Sequence, residues 1–148
     1  MIFRKLFVLL TVVCLSGCSL FHHKDKPADK KKKPDMPDQS KDVSFQSFVG
    51  RLRIAVKMRD LATLASMMTP DFGYAINPDR EGDGVFQYWD DNDVWKELET
   101  VLDEKFVPHE NFMVAPAKFV TEPDTYTGYR AGILLLNGSW KFAYFVGG

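Results

Sequence analysis

The sequence predicts an α+β domain in which N-terminal helices pack on one face of a C-terminal antiparallel sheet. Three observations carry this. Apolar residues recur at helical spacing between Phe45 and Met68 and again between Val94 and Leu102. Apolar runs near the end of the chain flank Asn137-Gly138, a dipeptide that strongly specifies a two-residue hairpin turn. About a hundred residues follow the low-complexity front of the chain, enough for one core and too few for two domains.

Each element has its own reason. In "DVSFQSFVGRLRIAVKM", Phe45, Phe48, Leu52 and Val56 fall on one helical face, with Asp42 or Ser44 as the N-cap. Asp60 is placed to cap a second helix, "LATLASMM", whose Leu61, Leu64, Ala65 and Met68 share a face and which Thr69-Pro70 ends. "FGYAI" reads as a short strand. Asp93 is placed to cap "VWKELETVL", with Val94, Leu98, Val101 and Leu102 inward. "NFMVAPAKFV", Asn111 to Val120, reads as one or two strands interrupted at Pro116. A hairpin turning at Asn137-Gly138 pairs Leu135 with Trp140, Ile133 with Phe142, Ala131 with Tyr144 and Tyr129 with Val146. That face is apolar throughout. The other pairs Leu134 with Lys141 and Arg130 with Phe145, so it is half-wet.

The front of the chain is built differently. Arg4 and Lys5 precede an apolar stretch, Leu6 to Cys14, and small residues Ser16 and Gly17 lead into Cys18. Basic, apolar, then small is the layout of a secretory signal peptide, here residues 1–17. The apolar stretch is well short of the ~20 residues a membrane-spanning helix needs. Residues 18–42 then form a Lys/Pro/Asp-rich spacer with little to bury, expected to be disordered, and residues 43–148 form the folded domain.

Leu15-Ser16-Gly17-Cys18 closely resembles the lipobox of bacterial lipoproteins. The resemblance implies that Cys18 becomes the first residue of the mature chain and carries covalent lipid, palmitate included, through its nucleophilic thiol. Two or more acyl chains hold where one is marginal, so the partner implied first is a membrane. In lipoproteins of this kind an Asp after the cysteine tends to retain the protein in the inner membrane. Ser19 stands there, which implies a cell-envelope protein on an outer membrane facing the periplasm, if the host has one. Cys14 leaves with the signal, so the mature domain has no free thiol, no disulfide and no thiolate metal site.

Charge divides with organisation. Nine of the 19 basic residues and five of the 20 acidic ones precede residue 43, leaving ten basic and fifteen acidic in the domain. A net acidic domain argues against nucleic acid as its partner. The lysine run Lys30 to Lys33 is either a solvated spacer or a contact with anionic headgroups.

The element order, with the terminal "NGSWKFAYFVG", resembles the cystatin-like roll of the nuclear transport factor and ketosteroid isomerase superfamily over roughly residues 43–148. The resemblance implies a conical pocket between helices and sheet, which Tyr74, Trp89, Trp95, Tyr129, Trp140 and Tyr144 can line; the same aromatics can equally be core. Enzymes of the superfamily set a carboxylate base opposite a Tyr or Asp donor, and Asp71 with Tyr74 is the nearest local pair.

One loop follows a calcium pattern. In "DREGDGVFQYWD", Asp79, Glu81, Asp83, Val85 (by its carbonyl), Gln87 and Asp90 stand at the ligand positions of an EF-hand-like loop with Gly84 at the turn. Asp90 is one carbon shorter than the usual bidentate Glu, and Asn77-Pro78 blocks the usual entering helix, so an acidic surface turn that buries Phe86 and Trp89 is the alternative. His22-His23 is a weak metal pair, and His109 beside Pro108 reads as a loop residue. The chain contains no phosphate loop, HExxH or nucleophile elbow. The expected function is therefore a membrane-anchored envelope module that binds another envelope protein or a small ligand; the alternative is a pocket-bearing carrier or ketosteroid-isomerase-like enzyme, calcium-stabilised in either case if the loop binds.

Overall fold

The computed structural model describes residues 34–74 and 84–147. The elements are α1 (Val43–Met58), α2 (Leu61–Met67), β1 (Met68–Gly73), α3 (Val85–Asp91), α4 (Trp95–Asp103), β2 (Val107–His109), β3 (Phe112–Ala115), α5 (Ala117–Thr121), β4 (Arg130–Leu136) and β5 (Ser139–Val146). The class is α+β, with most of the helix ahead of a five-stranded sheet ordered β1-β5-β4-β3-β2.

The first two helices start where the sequence places them. Asp42 caps α1, its carboxylate accepting from the Ser44 hydroxyl and from the Phe45 N–H at 2.9 Å. Asp60 caps α2 in the same way through Thr63, accepting from its hydroxyl at 2.6 Å and its N–H at 3.1 Å. These hydrogen bonds, led by the hydroxyls, hold both carboxyls below their ordinary value of 3.8. A depressed folded-state pKa stabilises above the unfolded value, and that stability is lost as pH falls through the folded one. The melting temperature is therefore expected to fall on acidification below about pH 4. Asp42→Asn with Asp60→Asn keeps both caps and removes their titration, so it should flatten that limb in an acid melting series. An unchanged slope would show that the caps do not contribute to it.

The sheet departs from the expected arrangement in several places. It is mixed rather than antiparallel, because β1 lies parallel to β5 with Met68 beside Phe142 and Gly73 beside Tyr144. The long connection through α3 and α4 permits that arrangement, and Pro70 is tolerated because β1 is an edge. The strand begins at Met68, ahead of the expected "FGYAI", whose Ala75 and Ile76 lie outside the described residues. Beyond Pro116 the chain forms the short helix α5 instead of a strand, and His109 ends strand β2 rather than sitting in a loop.

The β4–β5 hairpin turns as expected, with Asn137 at φ 51° and Gly138 at φ 78°. Leu135 pairs with Trp140 and Ile133 with Phe142. A bulge then shifts the register, so that Gly132 meets Tyr144, Ala131 meets Phe145 and Arg130 meets Val146. One extra residue on β5 exchanges the faces of everything after it. Phe145 becomes core and Tyr144 passes to the other face, the reverse of the expected alternation.

The core lies between that sheet face and α1, α2, α3 and α4, with Trp89, Phe45, Phe142, Phe145, Leu52 and Leu98 among its fully buried side chains. The opposite face is not bare. Helix α5 packs there, with Phe119 edge-on to His109 at 5.5 Å and under the Arg130 guanidinium at 4.9 Å. The compact unit also takes in residues ahead of the expected boundary at 43, running from Lys33 to Gly148. The Met36 N–H donates to the Glu110 carbonyl and the Asp35 carboxylate accepts from the Glu110 N–H, both at 2.7 Å, while Met36 packs against the core.

Candidate functional site

The six aromatics expected to line one pocket separate. Trp89 is fully buried at the centre of an edge-to-face cluster, 5.0 Å from Trp95 and 5.9 Å from both Phe72 and Phe145. Trp95 is buried beside it, its Nε1–H donating to Asp90 at 2.7 Å. Trp140 packs on Phe45 at 4.9 Å and donates to the Ser44 hydroxyl at 2.9 Å. Tyr144 lies on the other face of the sheet against Phe112 at 5.3 Å, and burial pushes its hydroxyl up to about 12. The Tyr74 ring lies 5.6 Å from that of Tyr88, tilted 60° to it, and Asp71 is exposed on β1. Of the six, Tyr129 lines an open cleft, described below.

Of the calcium-loop residues, Asp79, Glu81 and Asp83 lie outside the described residues, as do Cys18, His22 and His23. Val85 opens α3, Gln87 donates to Asp91 at 2.7 Å, and Asp90 is engaged by Trp95 and by Arg59 at 3.7 Å. Among the described residues no group of three or more His, Cys, Asp or Glu side chains is placed to hold a metal ion.

An open cleft of about 390 Å³ lies between α4 and the segment leading into β4, lined by Lys96, Glu97, Thr100, Val101, Tyr126 and Tyr129. Residues 96, 97, 100 and 101 share one side of α4 because four residues make about one helical turn. Opposite them, Tyr129 is stacked on Phe145, 5.2 Å away and 20° from parallel, and the Tyr126 hydroxyl donates to the Tyr129 carbonyl at 2.5 Å. The Thr100 hydroxyl is used within the helix, on the Lys96 carbonyl. Glu97 Oε2 is buried with no hydrogen-bond partner. Desolvation raises both tyrosine hydroxyls above their ordinary value, and Tyr129 also feels Tyr88 and the Glu97 carboxylate. A carboxylate beside aromatic walls can take a cationic or hydrogen-bond-donating ligand group.

Neither Glu97 nor Tyr126 stands out in the sequence, because Glu97 reads as a solvent-side residue of an amphipathic helix. The available signal is its four-residue spacing from Val101, which puts a carboxylate on the same flank as an inward valine. Comparison with family models, curated proteins and solved structures finds no match to this chain.

Proposed function

We propose that this chain is a lipid-anchored cell-envelope protein, attached through Cys18, whose domain is a binding or accessory module. Its roll would be of the cystatin-like kind, a reading supported by the order of helices and strands. The observation that carries the binding role is the distribution of apolar surface. Val43, Ile54, Met58 and Leu61 are exposed on α1 and α2, and Leu135 and Leu136 are exposed at the tip of the β4–β5 hairpin. Exposed aliphatic groups in such number mark an interaction surface. Phe145, placed on the half-wet face by simple alternation, is core and adds nothing to this surface.

Anchoring is tested by Cys18→Ala. The variant is expected to lose metabolic labelling by a palmitate analogue and to move from the membrane to the soluble fraction with its circular dichroism unchanged. Retention in the membrane would sink the anchor reading.

The cleft beside Glu97 supports a second reading, a carrier for a small ligand bearing an amine. Under that reading, titration with tyramine is expected to shift the amide resonances of residues 96–101 and 126–129. Replacing Glu97 with Gln should weaken binding about tenfold or more, since a charged hydrogen-bond partner is worth roughly 1.5–3 kcal/mol. Equal shifts in both proteins would remove Glu97 from the site.

A further inference from the structure

Helix α1 presents two unlike surfaces. Phe45, Phe48, Val49, Leu52, Ala55 and Val56 face the core. On the opposite side Val43, Ser47, Gly50, Ile54 and Met58 follow one another at intervals of three or four residues, which makes a continuous stripe. Val43 is 79% exposed, Ile54 65% and Met58 72%, and Leu61 at the start of α2 extends the stripe at 41%. A shallow apolar groove of about 250 Å³ runs beside it, lined by Arg51, Ile54, Ala55, Met58, Asp60 and Thr63.

The charge on this helix opposes that of the domain. Residues 43–59 hold Arg51, Arg53, Lys57 and Arg59 and no acidic residue, although residues 43–148 carry fifteen acidic side chains against ten basic. Arg53 is bound to the Leu102 carbonyl at 2.8 Å and to Asp103 at 3.2 Å, and Arg59 faces Asp90 and lies over the Trp95 ring. Arg51 and Lys57 remain, one on either flank of Ile54 at about 100° per residue. The acids nearest the stripe stand at its margins. Asp42 caps α1 beside Val43, Asp60 caps α2 at the end of the groove, Asp103 pairs with Arg53, and Glu99 shares a separate groove with Lys57.

We propose that this face of α1 docks on an anionic lipid bilayer. The charge requires a negative partner, and an acidic domain with one basic helix is turned by a negative surface until that helix faces it. The apolar groups are aliphatic and strung along a helix, without the Trp, Tyr or Phe anchors that protein interfaces favour. Arg51 and Lys57 can lay their stems along the stripe and keep their heads among headgroups. A second copy is a poor occupant, because symmetric pairing about α1 sets these cations against their own images. Asp35, already hydrogen-bonded to Glu110 of the domain, follows Cys18 by 17 residues. If Cys18 is lipidated, as proposed above, a tether of that length holds the domain at an effective concentration of about millimolar at the surface, so even a weak face is occupied.

The test uses the full chain, anchored in vesicles of phosphatidylcholine with or without phosphatidylglycerol. An environment-sensitive fluorophore is placed through Ser47→Cys on the stripe, or through Asp124→Cys beyond α5, an element of the opposite sheet face. The probe at 47 is expected to turn blue and to be shielded from an aqueous quencher in phosphatidylglycerol vesicles, with 124 unaffected. Arg51→Glu with Lys57→Glu should weaken docking about thirtyfold or more, at roughly fivefold for each cation lost from a negative surface. Identical spectra at 47 and 124 would overturn the proposal. So would shielding at 47 that appears only in whole envelopes, which would assign the face to an acidic protein. Label uptake by the unsubstituted chain reports separately on the anchor, since a lipidated mature chain has no free thiol. In that event co-sedimentation of the unanchored chain with the same vesicles decides the α1 proposal, with the Arg51/Lys57 reversal as control.

Discussion

Replacing Trp89 with Ala is expected to lower stability by about 3–5 kcal/mol, the range for removing a large aromatic from a closed core. The side chain is fully buried, and four rings surround it edge-on: Phe72, Phe86, Trp95 and Phe145. These rings come from β1, α3, α4 and β5, so the cavity would loosen the contacts joining the helices to the sheet. For a domain of about a hundred residues that loss is a fall in melting temperature of roughly 15 °C or more. Trp89→Phe should cost much less. It leaves a smaller gap and removes an indole N–H that is buried with no acceptor, a group that carries its own desolvation penalty of about 1–3 kcal/mol. Urea unfolding with an unchanged slope would measure both. A loss below about 1 kcal/mol for Trp89→Ala would mean that the core closes around the gap or does not centre on this residue.

Gly132→Ala is expected to be the most damaging single-methyl change in the sheet. The Tyr144 ring lies flat over Gly132, so a Cβ there would overlap ring atoms Cε1 and Cζ. The ring is braced by Phe112 on β3, and at Gly73 an added Cβ would sit 3.2 Å from the Tyr144 Cβ. Overpacking of this kind costs about 1–3 kcal/mol, more than the few tenths to 1 kcal/mol that Ala gains over Gly by restricting the unfolded chain. Combining it with Tyr144→Leu should cost less than the sum of the two single changes, because the clash goes with the ring.

The same residue supplies a spectroscopic check. Burial raises the Tyr144 hydroxyl from 10.0 to about 12. With the folded-state pKa raised, its stabilisation is complete below the unfolded value and is lost as pH rises from there through the folded one. Alkaline destabilisation should therefore begin near pH 10, and in the folded protein the Tyr144 phenolate should titrate late. Gly132→Ala should move that titration back toward the ordinary tyrosine range by pushing the ring into water. A titration unchanged by the substitution would show that the ring does not move.

Much of this architecture is legible in local pattern. Asp42 and Asp60 announce helix starts because a carboxylate satisfies orphan N–H groups within three residues of itself, an interaction that needs no distant partner. Asn137-Gly138 announces its turn because the two residues tolerate positive φ on their own account. The element after Pro116 is harder. "AKFV" suits a strand by composition, and only the docking of Phe119 against His109 and Arg130 makes a helical turn favourable there. Glu97 was equally hidden, since its burial arises from Tyr126 and Tyr129 approaching from a different element.

By itself, the sequence determined the class of fold, the capped starts of α1 and α2, the hairpin near the end of the chain and the acidic charge of the domain. All of these follow from interactions within a few residues or from simple sums along the chain. Tertiary structure alone decided the parallel seat of β1, the bulge that sends Phe145 inward and Tyr144 outward, and the closing of the core around Trp89. The bulge is the clearest case. A period-two pattern carries no mark of where one extra residue will be absorbed, so the choice falls to whichever register buries Phe142 and Phe145 together against the helices.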